Sequence, residues 1–381
     1  MSVDIEKYKQ NALKILSPIK PPDNKTKAES NFLFSAIRSD AGRDIQDYYL
    51  VYFLFVNLLG FKNLGKFEKI AWSIPIDYNG KAFLIEHRKF GVGIFIQNKD
   101  DDEDAKIITS KINGAIKSCR PYFNYLANEA VKSSQINVVN NNEDLFNRYN
   151  YFLKLYKSDY EEKENRNKEQ ITIDGNFVLG STEYLDLRDS TKWLAISVIE
   201  AFFSWTEHLF IHLSVITQKI KTGNEVSKLI DAEWKDKFRT AISDPTLEKY
   251  FNDLLLIRNQ VRNFVAHGAF GKDGNAFYFH SGAGAVPVIM DFNINKNRFS
   301  FIGKLRFNDE EVIKLIESFI ADLFNSNLKP ALIYTQVNNL ITILPHASNG
   351  FYESAMYDEE TMEKFCHYLQ NMFDDAANMD W

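Results

Sequence analysis

Apolar residues recur at helical spacing over residues 3–16, and Pro18, Pro21 and Pro22 stop that pattern. A polar linker runs to Ser30. Helical patterning returns over 31–59, broken near Ser39-Asp-Ala-Gly42, and its later part, 44–59, is apolar on most faces and predicts a buried helix. The character then changes. Residues 70–77, 82–88 and 91–96 read as three strands of a small antiparallel meander. Pro75 marks an edge or a bulge, and Asn79-Gly80 carries the two-residue hairpin signal. The acidic run 100–104 directly precedes a helix over 105–133, where carboxylates suit the positive end of the dipole; Pro121 predicts a kink in it.

The second half is more helical. Residues 136–145 are Asn-rich and read as loop, 145–156 as helix, and the polar stretch 157–170 as an exposed helix extension or loop and the domain border. Ser190 or Thr191 caps a long apolar helix over 193–221 that Gly223 ends. Helices over 232–243 and 246–267 follow, then strand-like pieces at 276–280, 285–290 and 298–302. Asn308 caps a helix over 309–324, the fourth that a bundle needs. An extended piece at 339–344 and a helix at 358–372 complete the chain. The pattern predicts an α+β protein in three parts: an N-terminal α+β domain at 1–160 for sensing or scaffolding, a helical domain with a β insertion at 175–330, and an extension at 331–381.

Composition narrows the class. With 381 residues, 45% hydrophobic and 31 Phe, the chain can bury a sizeable core. A net charge of −6 argues against non-specific coating of nucleic acid, while a local basic site stays open. Two cysteines without zinc-ligand spacing suit a reducing cytoplasm, and no cofactor or metal motif is evident. The N-terminus lacks a signal-peptide core, and the apolar run 48–61 is too short for a bilayer, so no membrane partner is expected.

The densest chemistry lies in Arg258-Asn259-Gln260-Val261-Arg262-Asn263-Phe264-Val265-Ala266-His267-Gly268. On a helix, Asn259, Asn263 and His267 stack at i, i+4, i+8, with Arg258 and Arg262 in a parallel row. An ordinary role is available: a helix-end His is favoured by the macrodipole, and Arg near that end caps carbonyls. Arg262-Asn263-x-x-x-His267 resembles the Arg-polar-x(3–5)-His signature of the HEPN superfamily, all-helical domains common in prokaryotic defence and toxin ribonucleases. The resemblance covers about residues 190–325. It implies a metal-independent endoribonuclease with Arg262 and His267 as the catalytic pair and Asn263 as their polar companion. Arg258 and Asn259 fall outside the core motif and are expected to support RNA binding. The resemblance further implies RNA as partner, a homodimer that completes the site, a setting in phage defence or as a toxin, and a regulatory protein partner. The rival is a non-catalytic HEPN-like module that binds RNA, a nucleotide or a protein.

Two other sets carry less. His208 and His212 stand at i, i+4 with Glu200 and Glu207 nearby, but no third metal ligand is evident, which favours core or network histidines. Glu200 or Glu207 is placed to partner the motif helix across the bundle. Asp77 with Glu86-His87-Arg88 resembles a metal-nuclease Asp…Glu-x-Lys set only faintly: Arg88 holds the lysine position, and Lys89 falls on the opposite strand face.

Overall fold

A computed structural model describes residues 4–171, 182–267, 278–281, 284–287 and 308–379; side chains of 166–189 and 260–307 lie outside that description. The chain has the α+β class, mostly helical with a small antiparallel sheet. It divides into two compact units, Met1–Ser133 with His367–Trp381, and Ser134–Cys366.

In the first unit, the helix Ile5–Leu16 begins where Asp4 accepts the Lys7 N–H at 3.1 Å, and it buries Ala12 and Leu16. The meander forms as β2 (Ile70–Tyr78), β3 (Lys81–Arg88) and β4 (Gly91–Ile96). A short β1 (Ile37–Arg38) pairs with β4, giving the order β1-β4-β3-β2. Ser73 pairs with Glu86, Ile74 with Ile85, and Ile85 with Ile94. Asn79 and Gly80 both take positive φ, 53° and 83°, the twist that a two-residue hairpin requires. Pro75 sits on the edge strand β2, which no further strand flanks among the described residues; single contacts from Lys20 to Asp77, Leu64 to Ser73 and Phe67 to Ile70 meet it instead.

Strand alternation builds the core. Ile74, Ile76, Phe83, Ile85, Ile94 and Ile96 face Leu16, Leu54, Phe55, Ile108 and Ile112. The opposite face carries Leu84, Phe95 and Ala82 against Phe32. The acidic run caps the next helix: Asn98 and Asp101 exchange side-chain and backbone hydrogen bonds, and Lys81 Nζ reaches Asp101 at 2.7 Å and Asp104 at 3.1 Å.

Several boundaries differ from the sequence expectation. The stretch 44–59 is helical only from Tyr48, and its second half, Phe53–Leu58, is wound as a π-helix. The expected kinked helix is two helices, Asp102–Ser118 and Arg120–Lys132, because Pro121 fits the first turn of a new helix, where no N–H is needed. The polar stretch 157–170 is the helix extension, continuing the helix Asn142–Ile171, and the division between units falls at Ser133/Ser134 instead of within it. The Asn-rich loop contains β5 (Asn137–Val138), which pairs with β8 (Thr342–Ile343).

The second unit is organised around the central helix, Thr182–Ile216, which packs against Asn142–Ile171, Trp234–Ala241, Phe251–His267 and Asp309–Phe324. The abundant phenylalanines are spent here. Phe202, Phe210, Phe238 and Phe319 are buried with Trp205 and Trp234, and ring centroids lie 5.9 Å apart for Phe202–Phe319 and 5.3 Å for Trp234–Phe238. Both buried indoles find partners: Trp234 Nε1–H donates to Thr206 at 3.0 Å and Trp205 Nε1–H to Gln336 at 2.8 Å. Gly223 does not end the central helix. It opens an additional helix, Gly223–Asp231, behind a Thr222/Glu225 capping box. Asn308 caps Asp309–Phe324 as expected, accepting the Glu311 N–H at 3.3 Å. Between the last two bundle helices, β6 (Tyr278–Ser281) and β7 (Gly284–Pro287) pair antiparallel, which realises the β insertion; the strand expected at 298–302 lies outside the described residues.

By length and composition, Ser190–Ile216 could cross a membrane; well over half of its most apolar window is buried in the unit, as in a core helix.

Candidate functional site

The motif helix, Phe251–His267, presents Leu254 and Ile257 to the core, at the i, i+3 spacing of a half-buried helix. Arg258 follows at the edge of that apolar face, with 12% of its side chain exposed. Its Nη2 lies 3.3 Å from Oε2 of Glu207 on the central helix. The other carboxylate oxygen, Oε1, accepts from Lys237 Nζ at 2.8 Å. Lys237 comes from Trp234–Ala241 and is almost fully buried. One carboxylate thus joins three helices and neutralises an ammonium that would otherwise be buried without a counter-ion.

The sequence places Arg258 in an open row that binds RNA. The structure instead commits its guanidinium to Glu207, largely covered. Asn259 is exposed. The backbone remains helical through Arg262, Asn263 and His267, and the helix ends at His267; their side chains lie outside the described residues. Of the two acids considered as cross-bundle partners, Glu207 is the one that meets the motif helix, while Glu200 is exposed. Lys237 has no signal in a motif. Its clue is a lysine three residues after Trp234 and adjacent to Phe238, on the face that these rings bury.

On the central helix His208 directly follows Glu207, and with His212 one turn further it forms a closed polar cluster. His212 is fully buried, with Nδ1 2.8 Å from Thr342 Oγ1 and Nε2 3.0 Å from His208 Nε2. The Asn141 N–H donates to His208 Nε2 at 2.9 Å, so that nitrogen is an acceptor and His212 supplies the proton between the rings. Burial holds both rings below the ordinary histidine range. The nearby Lys237 charge adds to this for His208, and the neighbouring His208 helps bring His212 down to about 3. Each ring is neutral at pH 7. The cluster ties the central helix to β8 and to the turn before Asn142–Ile171, a network role rather than a metal pair.

The carboxylates of the first unit do not converge either. Asp77 accepts from Thr26 Oγ1 at 2.5 Å and from the Gly80 N–H at 2.9 Å. Glu86 accepts from Ser73 Oγ at 2.7 Å and pairs with Arg88 at 2.6 Å. Glu86 pairs across the sheet with Ser73, four positions along β2 from Asp77, which separates the two by roughly 13 Å of strand. Among the described residues no group of three or more His, Cys, Asp or Glu could hold a metal ion.

Fold and site together define an α+β protein whose second unit is a helical bundle, with a polar three-helix junction beside an Arg/Asn/His-bearing helix end. Comparison with protein families, with curated proteins and with solved structures finds no match to the chain.

Proposed function

We propose that the chain is a metal-independent endoribonuclease of HEPN type, in which Arg262 and His267 act on the scissile phosphodiester and Asn263 assists. One observation carries this reading: Arg262-Asn263-x-x-x-His267 occupies the closing turns of a helix that packs on the central helix of a bundle. RNA brings its own nucleophile, the 2′-hydroxyl. His267 moves the proton at that oxygen or at the leaving oxygen, since an imidazole titrates near neutrality. Arg262 offers a planar pair of donors to a phosphate that gains negative charge. One Arg and one His per chain make half of a symmetric site, so the active species is a two-fold dimer. Action in the cytoplasm, in phage defence or as a toxin restrained by a protein partner, is part of the same proposal.

The test is a labelled single-stranded RNA beside an all-deoxy strand of the same sequence. RNA is cut, also in EDTA, and the all-deoxy strand is not. Equal cutting of both strands refutes the 2′-hydroxyl mechanism, and complete loss in EDTA with rescue by a divalent ion refutes metal independence.

A second reading has its own observation. Arg258, the first residue of the arginine row, is locked to Glu207, as a residue that fastens helices would be. A non-catalytic HEPN-like module that binds RNA, a nucleotide or a protein is therefore the alternative. It predicts binding without cleavage of any RNA.

A further inference from the structure

Two clefts lie side by side on the first unit and share Gln46 in their walls. Their volumes are about 570 and 660 Å³, large enough for a nucleotide each. The charges in the walls are one-sided. Arg38, Arg43, Lys117 and Arg120 face a single carboxylate, Asp47, although the whole chain carries a net charge of −6. Arg38 is used internally, donating to the Phe90 carbonyl at 3.2 Å and the Val92 carbonyl at 2.9 Å. The other three are available to a ligand. Arg43 makes only a loose, exposed 3.3 Å pair with Asp40, and Lys117 and Arg120 are exposed with no ion pair among the described residues.

The aromatic groups are equally telling. Tyr48 stacks on His87 with centroids 4.2 Å apart and planes 9° from parallel, and His87 in turn leans on Trp72 at 5.9 Å. The ring is thereby held from behind, yet it stays 48% exposed and lines the cleft. Phe90, in the same wall, is 85% exposed. A fixed ring with an open side, beside ammonium and guanidinium groups, is the chemistry of base stacking with phosphate neutralisation. The exposed Gln46 between the clefts adds donors and acceptors suited to a base edge.

We propose that these paired clefts bind a short segment of single-stranded RNA, with a base stacked on Tyr48 beside Phe90 and the following phosphates on Arg43, Lys117 and Arg120. The base-plus-phosphate chemistry is shared with a free nucleotide; the choice of RNA rests on the ribonuclease reading. The site deepens that reading by giving the substrate a docking surface outside the motif helix.

The experiment measures fluorescence anisotropy on the full chain with two probes: a labelled 2′-O-methyl RNA of about ten nucleotides, which cannot be cleaved through its 2′-oxygen, and a labelled nucleoside monophosphate. The oligomer binds, and Tyr48→Ala weakens it about tenfold, while Tyr48→Phe retains most of the affinity. The double variant Lys117→Glu, Arg120→Glu weakens it more than tenfold and flattens the salt dependence. Lys117 and Arg120 are exposed, so the melting temperature of the double variant stays near wild type, and Tyr48→Phe keeps the stack on His87 that Tyr48→Ala gives up. Failure of the wild type to bind either probe overturns the site, as does binding that the variants change less than about twofold. Competition by polyglutamate equal to that by RNA, with Tyr48→Ala silent, reduces it to a cationic surface for acidic polymers and also overturns it. Binding of the monophosphate alone, lost in the same variants, keeps the site and overturns RNA as its source. Because neither probe reports cleavage, loss of the ribonuclease reading leaves these outcomes legible: intact binding without cleavage sinks only that reading, and cleavage without binding here sinks only this site.

Discussion

At the scale of single residues, the junction of Glu207 with Lys237 and Arg258 makes the clearest stability prediction. Glu207→Ala leaves the Lys237 ammonium buried beside Arg258 without a counter-ion. It should cost about 1–3 kcal/mol in urea denaturation, the expense of an uncompensated buried group moderated by the partial exposure of Glu207. Arg258→Ala should cost less, since Glu207 keeps Lys237, and any loss of RNA cleavage should follow the loss of stability. His267→Ala should behave in the opposite way. Loss of a general acid or base lowers the rate about 10²–10⁴-fold, whereas loss of a helix-end imidazole lowers stability by about 1 kcal/mol or less. Cleavage rate and melting temperature, measured on the same preparation, separate the two. A wild-type rate for His267→Ala would remove the residue from the mechanism.

The histidine cluster sets a pH dependence whose sign is fixed by burial. His208 and His212 are both held below the ordinary value, so the folded protein binds fewer protons than the unfolded chain. Their stabilisation is complete above the unfolded histidine pKa of about 6.5 and is lost as pH falls from there toward about 3, where His212 titrates. Chemical denaturation at pH 7.5 and 5.0 should show a lower midpoint at pH 5.0. The double variant His208→Gln, His212→Gln should reduce that difference; an unchanged difference would assign it to other groups.

At the scale of elements, two glycines of the first unit do different work. Gly80 holds φ +83° in the β2–β3 turn, with nothing within 4 Å of where a Cβ would stand. Gly80→Ala should therefore cost only the left-handed torsion, about 1–2 kcal/mol. Gly42 has no such torsion, but a Cβ there would stand 2.5 Å from the Ile94 backbone nitrogen in β4. Gly42→Ala must push two backbones apart and should destabilise more than Gly80→Ala in thermal melts. The hairpin glycine is legible because the turn type depends on two adjacent residues. Gly42 reads only as a helix breaker, because its constraint comes from a strand about fifty residues further on.

At the scale of the whole molecule, the proposed chemistry demands assembly. One Arg262/His267 pair per chain predicts a two-fold dimer, measurable by light scattering coupled to size exclusion at micromolar concentration. A strict monomer that still cleaves RNA would show that one motif helix suffices.

The features that the amino-acid order settles unaided are those whose cause is local. The three-strand meander, the Asn79-Gly80 turn, the Asn308 cap and the placement of 251–267 in a helix all depend on neighbours within a few positions, where period and torsion decide. The motif itself is equally legible, as a pattern of residue types within ten positions. Packing between distant segments decided the rest. It drew β1 and β5 out of stretches read as helix and loop, because a two-residue strand exists only through its ladder partner. It carried the helix Asn142–Ile171 through a stretch whose polar composition leaves helix extension and loop both open, since packing on the central helix outweighs weak amphipathicity. It took Arg258 from the expected RNA-facing row, because a carboxylate on one helix and a buried ammonium on another meet it at a distance no spacing rule contains.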